Sequence, residues 1–98
     1  MADSGDRIVT GAVEVLPLHP DAYPIVDKAI AAIAATGIRY EVGPMETALE
    51  GTLDAVLAAA KAAHLACFEA GAEKVVTFIK IGDALGGSTI DDKLEKYR

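Results

Sequence analysis

Apolar residues recur along this chain with two different periods, and each change of period marks an element. From Ile8 to Leu18 the run I-V-T-G-A-V-E-V-L-P-L is rich in β-branched residues, and Pro17 ends ladder donation at its far edge. This predicts a first strand over about Thr10 to Leu16. Ile25, Val26, Ala29, Ile30 and Ile33 then recur at three- and four-residue steps. Pro24 suits a first helical turn and Gly37 a C-terminal stop, so a helix is predicted from Pro24 to about Thr36. In I-R-Y-E-V the period returns to two, with Ile38, Tyr40 and Val42 on one face and Arg39 and Glu41 on the other. Gly43-Pro44 turns the chain. Glu46 to Glu50 then reads as a short third strand in which Thr47 and Leu49 oppose Glu46, Ala48 and Glu50 in parity.

Thr52 is a candidate N-cap for the longest helical pattern, Leu53 to about Ala70, in which Leu53, Val56, Leu57, Ala60, His64, Cys67 and Phe68 recur before Gly71. Lys74 to Ile81, K-V-V-T-F-I-K-I, has large apolar residues at both parities and reads as a fourth strand covered on both faces. After the glycine-rich loop Gly82 to Gly87, Ser88 or Thr89 can cap a short polar helix with Asp91 or Asp92 at its third position. Ile90, Leu94 and Tyr97 form its apolar edge. Met1 to Arg7 is small and polar and reads as a tail.

The order is βαββαβ plus a terminal helix. Right-handed crossovers in both halves predict an α+β, ferredoxin-like domain over residues 8–98, with a four-stranded antiparallel sheet and two helices on one face. The other face needs a partner. Strand four presents either Val76 and Phe78 or Thr77 and Ile79 there, so sheet-to-sheet self-association is expected. Glu14 and Lys80, on neighbouring strands, are expected to pair across the sheet, or to face a ligand at the oligomer interface.

Composition narrows this picture. The chain is 98 residues long and 52% hydrophobic, but 19 of its residues are Ala, which leaves a lean core of the kind that oligomerisation supports. A net charge of -6 without a basic patch excludes nucleic acid as a partner; it is compatible with a small cationic ligand or simply with a soluble surface. Cys67 is alone, so the chain can form no internal disulfide, and a reducing, cytoplasmic setting fits. The alanine-rich stretches are interrupted by Asp, Lys and His, and no basic and apolar leader opens the chain, so neither a membrane span nor a signal peptide is expected.

Candidate chemistry is sparse. There is no phosphate loop, H-E-x-x-H or G-x-S-x-G, and Ser4 and Ser88 lie in polar segments, so no catalytic residue, cofactor or enzyme activity is expected. His64 and Cys67, three residues apart, are too few for a zinc site. What remains is Met45, Thr47 and Glu50, with Tyr40 before them and His64 after. A hydroxyl and a carboxylate could hold an amine-bearing or cationic heterocycle, with Met45 and Tyr40 as its wall. The plain alternative makes Thr47 a strand residue by propensity, Glu50 a solvated acid at a helix start and His64 a core-edge residue.

Together, strand one ending V-L-P-L, the stretch I-R-Y-E-V-G-P-M-E-T-A-L-E-G, a helix carrying His64, then G-A-E-K-V-V-T-F-I-K-I and a closing T-I-D-D-K resemble the small thiamine-binding proteins of the YkoF/YqgV-like family. The resemblance runs from strand one to the last helix. Its most specific part is P-M-x-T-x-x-E-G, here Pro44, Met45, Thr47, Glu50 and Gly51. It implies a ferredoxin-like fold, homodimers that pair into tetramers, and binding of thiamine or its hydroxymethylpyrimidine part as a ligand, without chemistry on it. Met45, Thr47 and Glu50 are the implicated positions, with His64 a weaker match. The chain departs from the pattern at Ile81-Gly82-Asp83-Ala84, where the family shows I-D-D-R, and at Glu14, where relatives carry a small polar residue.

The expected function is therefore non-catalytic thiamine or pyrimidine binding for storage, delivery or sensing. The alternative is a structural or regulatory oligomerisation module without a small-molecule ligand. Strand parity sets one condition on the first reading. If strand three stays regular to its end, Thr47 and Glu50 cannot both line one pocket. Either the chain bends at Glu50 toward helix two, or one of the two residues serves the structure.

Overall fold

A computed structural model describes residues 6–98. Four strands, β1 (Val9–Pro17), β2 (Arg39–Val42), β3 (Thr47–Gly51) and β4 (Val75–Gly82), form one sheet in the order β2-β3-β1-β4. All neighbours are antiparallel. Helices α1 (Ala22–Ala35) and α2 (Leu53–Glu69) connect the strands over one face, and a short helix α3 (Ile90–Leu94) with a following turn of 3-10 helix closes the chain. This is the ferredoxin-like arrangement expected from the order of periods. Strand ends differ from the sequence reading by a residue or so. Of the predicted tail, Met1 to Gly5 lie outside the described residues, whereas Arg7 forks onto Asp83 at 2.7 and 3.0 Å and holds that carboxyl below the usual range.

Strand parity sorts the core. Val9 and Val13 of β1 and Thr47 and Leu49 of β3 point under the helices, where they meet Ile25, Ala29 and Ile33 of α1 and Val56, Ala59, Ala60, Ala63 and Cys67 of α2. The alanines are the reason both helices lie close to the sheet and to each other. Gly11 marks the tightest approach: a Cβ there would collide with Val56 Cγ1 and press on the carbonyl of Lys80. Cys67 is a small buried hydrophobe, its thiol pKa raised by burial and its Sγ donating weakly to the Ala63 carbonyl. Thr52 caps α2 by accepting from the Ala55 N–H at 3.2 Å, and Thr89 caps α3 by accepting from the Asp92 N–H at 3.1 Å. Gly37 and Gly71, which follow α1 and α2, sit at φ of 79° and 110°, where a side chain would be strained.

The second sheet face is only half bare. By register it carries Thr10, Ala12, Glu14 and Leu16 of β1, Ala48 and Glu50 of β3, Arg39 and Glu41 of β2, and Val76, Phe78 and Lys80 of β4. The α3 segment docks over its β2–β3 half. Glu50 Oε1 accepts the Ile90 N–H at 2.7 Å, Arg39 forks onto Asp91, and Arg98 reaches both Asp91 and Glu41. Ile90 is buried beneath them. Leu16, Val76 and Phe78 on the other half stay exposed, Phe78 by 54%.

Two expectations need correction. β4 is not covered on both faces within one chain: it is an edge strand, and Val76, Phe78, Ile79 and Ile81 are all exposed. Its apolar character matched a central strand, but strand order depends on connections and not on composition. Glu14 and Lys80 do not pair. Lys80 reaches Glu46 at 2.9 Å, because the small Ala12 beside it and Ala48 beyond let its long side chain cross β1, while Glu14 stands opposite Phe78. Among the described residues no helix is long and apolar enough to cross a membrane.

Two tests follow from this packing. Gly11→Ala should lower stability by about 1–3 kcal/mol, the usual cost of forcing a methyl group into a filled core, read as a lower urea midpoint with an unchanged slope; an unchanged midpoint would contradict the close approach of α2. Asp91, hydrogen-bonded first by Arg39 and then by Arg98, has its pKa lowered. Its contribution to docking is thus full above the unfolded pKa and disappears only as pH falls through the lower folded one. A carboxyl NMR titration should place the Asp91 midpoint below the ordinary value of about 3.9, with α3 released only at that more acidic pH. A midpoint at or above the ordinary value would refute the docking network.

Candidate ligand-binding cleft

A mismatch in strand length creates a concavity on the helix side. β1 pairs with β3 only from Val9 to Val13, yet continues to Pro17 against β4 alone. The β2–β3 hairpin has by then turned back through Gly43, Pro44, Met45 and Glu46, closed by a hydrogen bond from the Gly43 N–H to the Glu46 carbonyl at 2.9 Å. The uncovered part of β1, this turn and the flank of α1 enclose a cleft of about 110 Å³. Its walls are apolar, formed mainly by Val13, Val15, Val26, Ile30, Ile33 and Val42.

Thr47 sits at its base. It is 6% exposed and is the buried polar residue of the described chain. Its side chain has no hydrogen-bond partner among the described residues, and no fully buried side-chain oxygen there lacks one, so the hydroxyl opens toward the cleft. A donor and two lone pairs are thereby held against an otherwise hydrocarbon surface. Met45, 74% exposed at the hairpin tip, stands at the rim as a flexible thioether. Glu14 and Glu46 also border it, but their side chains belong to the other sheet face, Glu14 opposite Phe78 and Glu46 paired with Lys80.

Of the five residues singled out from the sequence, the structure brings Met45 and Thr47 together here. Tyr40 lies on the same sheet side, opposite Leu49 and two residues before Val42 on β2, outside the cleft lining. Glu50 is on the opposite sheet face. β3 stays regular to Gly51, so parity separates Glu50 from Thr47, and its carboxylate serves the Ile90 N–H and stands 3.5 Å from Arg39. His64 projects from α2 toward β4, with Nδ1 2.6 Å from Thr77 Oγ1 and its ring edge-on to Phe68 at 5.4 Å between centroids. Ala63, its neighbour in sequence, is the α2 residue that lines the cleft.

Sequence reasoning missed the contributions of Val15, Val26 and Ile30. The available signal was the unequal lengths of the first and third strands, together with Pro17, whose missing N–H suits a position without a neighbour. Among the described residues no group of three or more His, Cys, Asp or Glu side chains is placed to hold a metal ion.

Comparison with known proteins places the chain in a family. The chain matches the thiamine-binding protein family over residues 11–98. A UPF0045 protein of Clostridium perfringens is 43% identical over 89 residues, 89% of this chain and 94% of the relative. The UPF0045 protein YqgV of Bacillus subtilis is 36% identical over 72 residues, 71% of this chain and 69% of the relative. Among solved structures, a Bacillus cereus domain of unknown function, DUF77, superposes with a TM-score of 0.88 at 49% identity, covering 94% of this chain and 91% of that one. A Thermotoga maritima protein described as a candidate for thiamine biosynthesis or salvage superposes with a TM-score of 0.83 at 33% identity, covering 93% and 99%. With a family match over residues 11–98, a relative 43% identical over most of both chains and a shared fold, the chain belongs to the thiamine-binding protein family.

Proposed function

We propose that this protein binds thiamine, or its hydroxymethylpyrimidine half, in the cleft at the β2–β3 turn and performs no chemistry on it, serving storage, delivery or sensing. The observation that carries this reading is the Thr47 hydroxyl, on an otherwise buried residue, opening into an apolar cleft without a partner among the described residues. It leaves a donor and two lone pairs free for a ligand's polar edge. The pyrimidine is the part this reading places in the cleft, since its ring nitrogen and amino group can hydrogen-bond to a hydroxyl. The cationic thiazolium would then stay at the rim near Met45, on a chain whose net charge of -6 favours a cation.

A non-catalytic role fits the lining. A hydroxyl nucleophile needs an adjacent oriented base, and no His, Lys or Cys lines the cleft. In this reading Met45 and Thr47 touch the ligand, and Glu50 acts by fastening α3. The exposed strip of Leu16, Val76 and Phe78 supports the further reading that two copies pack sheet to sheet as a homodimer, with a homotetramer as a pair of such dimers.

Calorimetric titration tests the ligand. Thiamine and the hydroxymethylpyrimidine should each give saturable heat, and Thr47→Val should weaken binding by about tenfold while shifting stability by less than about 1 kcal/mol, since the lost hydroxyl has no partner inside the described chain. No heat with either compound at hundreds of micromolar would sink the proposal and favour an oligomerisation module without a ligand. Sedimentation tests the assembly: the wild type should run as a dimer or larger at micromolar concentration and Phe78→Glu as a smaller species. A monomeric wild type would overturn the sheet-to-sheet reading.

A further inference from the structure

The direction of the peptide groups along β1 adds a determinant that no side chain reveals. Leu18 donates its N–H to the Lys74 carbonyl at 2.9 Å, and the β1–β4 register runs without a break from Thr10 opposite Gly82 to Pro17 opposite Val75. Residues 18 and 74 are therefore a hydrogen-bonded pair, and such pairs alternate along an antiparallel ladder. The even residues of β1, including Glu14 and Leu16, thus exchange main-chain bonds with β4. The odd residues Val9, Gly11, Val13, Val15 and Pro17 turn their peptide groups toward β3.

β3 meets Val9, Gly11 and Val13 and goes no further. Pro17 has no N–H to satisfy, and its carbonyl accepts from the His19 N–H at 3.1 Å. Val15 is left over. Continuing the register would set Met45 opposite it, but the chain has already turned away at Gly43 to Glu46. The Val15 N–H and C=O have no partner among the described residues, and Val15 lines the same cleft as the Thr47 hydroxyl.

We propose that the main-chain N–H and C=O of Val15 read the edge of the pyrimidine ring. The ring nitrogen accepts from the N–H, the neighbouring exocyclic amino group donates to the C=O, and the ring takes the place of a continued β3. An amide reads the amino and ring-nitrogen pair of adenine in the same two-point way, and addition to an open strand edge is a general mode of recognition. The inference rests on the thiamine reading and deepens it. It makes the amino group, and not ring shape alone, the basis of selectivity, and it predicts that the thiazole half by itself is not held in the cleft.

Amide hydrogen exchange by NMR on the full-length labelled protein tests this directly. In the free protein the Val15 amide should exchange at least about tenfold faster than those of Glu14 and Leu16, which lie in the β4 ladder. Saturation with the hydroxymethyl aminopyrimidine should protect it. An analogue lacking the exocyclic amino group should bind about tenfold or more weakly in calorimetry, because the Val15 carbonyl is then left unpaired. If the aminopyrimidine binds but Val15 exchange does not slow, or if the analogue binds equally well, this inference is overturned and the thiamine reading survives. A Val15 amide already protected in the free protein overturns it too. If neither compound gives heat, both readings fall together.

Discussion

The main-chain hydrogen bonding of β1 is the constraint on which the rest of the molecule depends. This strand is central, and its two neighbours treat it unequally: β4 follows it from Thr10 to Pro17, whereas β3 leaves it after Val13. A sheet of equal strands would have no concavity at this place. The step in length produces one, and the flank of α1 roofs it with Val26, Ile30 and Ile33. That roof sits low because the helix interface is built from Ala29, Ala59, Ala60 and Ala63, with Gly11 giving way beneath Val56. The alanine-rich composition therefore sets the scale of the cleft as well as the thinness of the core.

β3 divides its work by parity. Its odd positions Thr47 and Leu49 face the helices, one at the base of the cleft and the other fully buried in the core. Its even position Glu50 faces the other way and ties down the C-terminal segment through the Ile90 N–H. The exposed pairs around it, Arg39 with Asp91 and Arg98 with Asp91 and Glu41, would contribute little singly. Here they converge on one short helix whose only buried residue is Ile90. A compact run in the family pattern thus serves two sheet faces, and closeness in sequence does not make Thr47 and Glu50 partners in one site.

Much of this was legible in the chain. The alternation of Ile38, Tyr40 and Val42 against Arg39 and Glu41, the caps at Thr52 and Thr89, and the stops at Gly37 and Gly71 are local features, and local features survive folding when nothing opposes them. Strand parity already set the condition, a third strand regular to its end, under which Thr47 and Glu50 part. What was not legible depends on partners. β4 is apolar at both parities, but its composition cannot tell whether a second strand lies beside it. The reach of Lys80 to Glu46 needs the small residues of two other strands in register. The docking of α3 needs Arg39, Glu50 and Arg98 to converge from three places in the chain. Least visible of all is the direction of a peptide group, which follows from the hydrogen-bond phase of a whole ladder and leaves no trace in side-chain periodicity.

That phase also bears on how an open strand edge can serve recognition. An unpaired peptide in a loop would move, and ordering it would weaken any contact it made. Val15 is flanked by Glu14 and Leu16, whose own peptide groups face β4 opposite Phe78 and Val76. The strand is fixed from one side while the other side stays open, so the N–H and C=O of Val15 are held in position before anything approaches them. The cost of preorganising the contact is carried by the β1–β4 ladder.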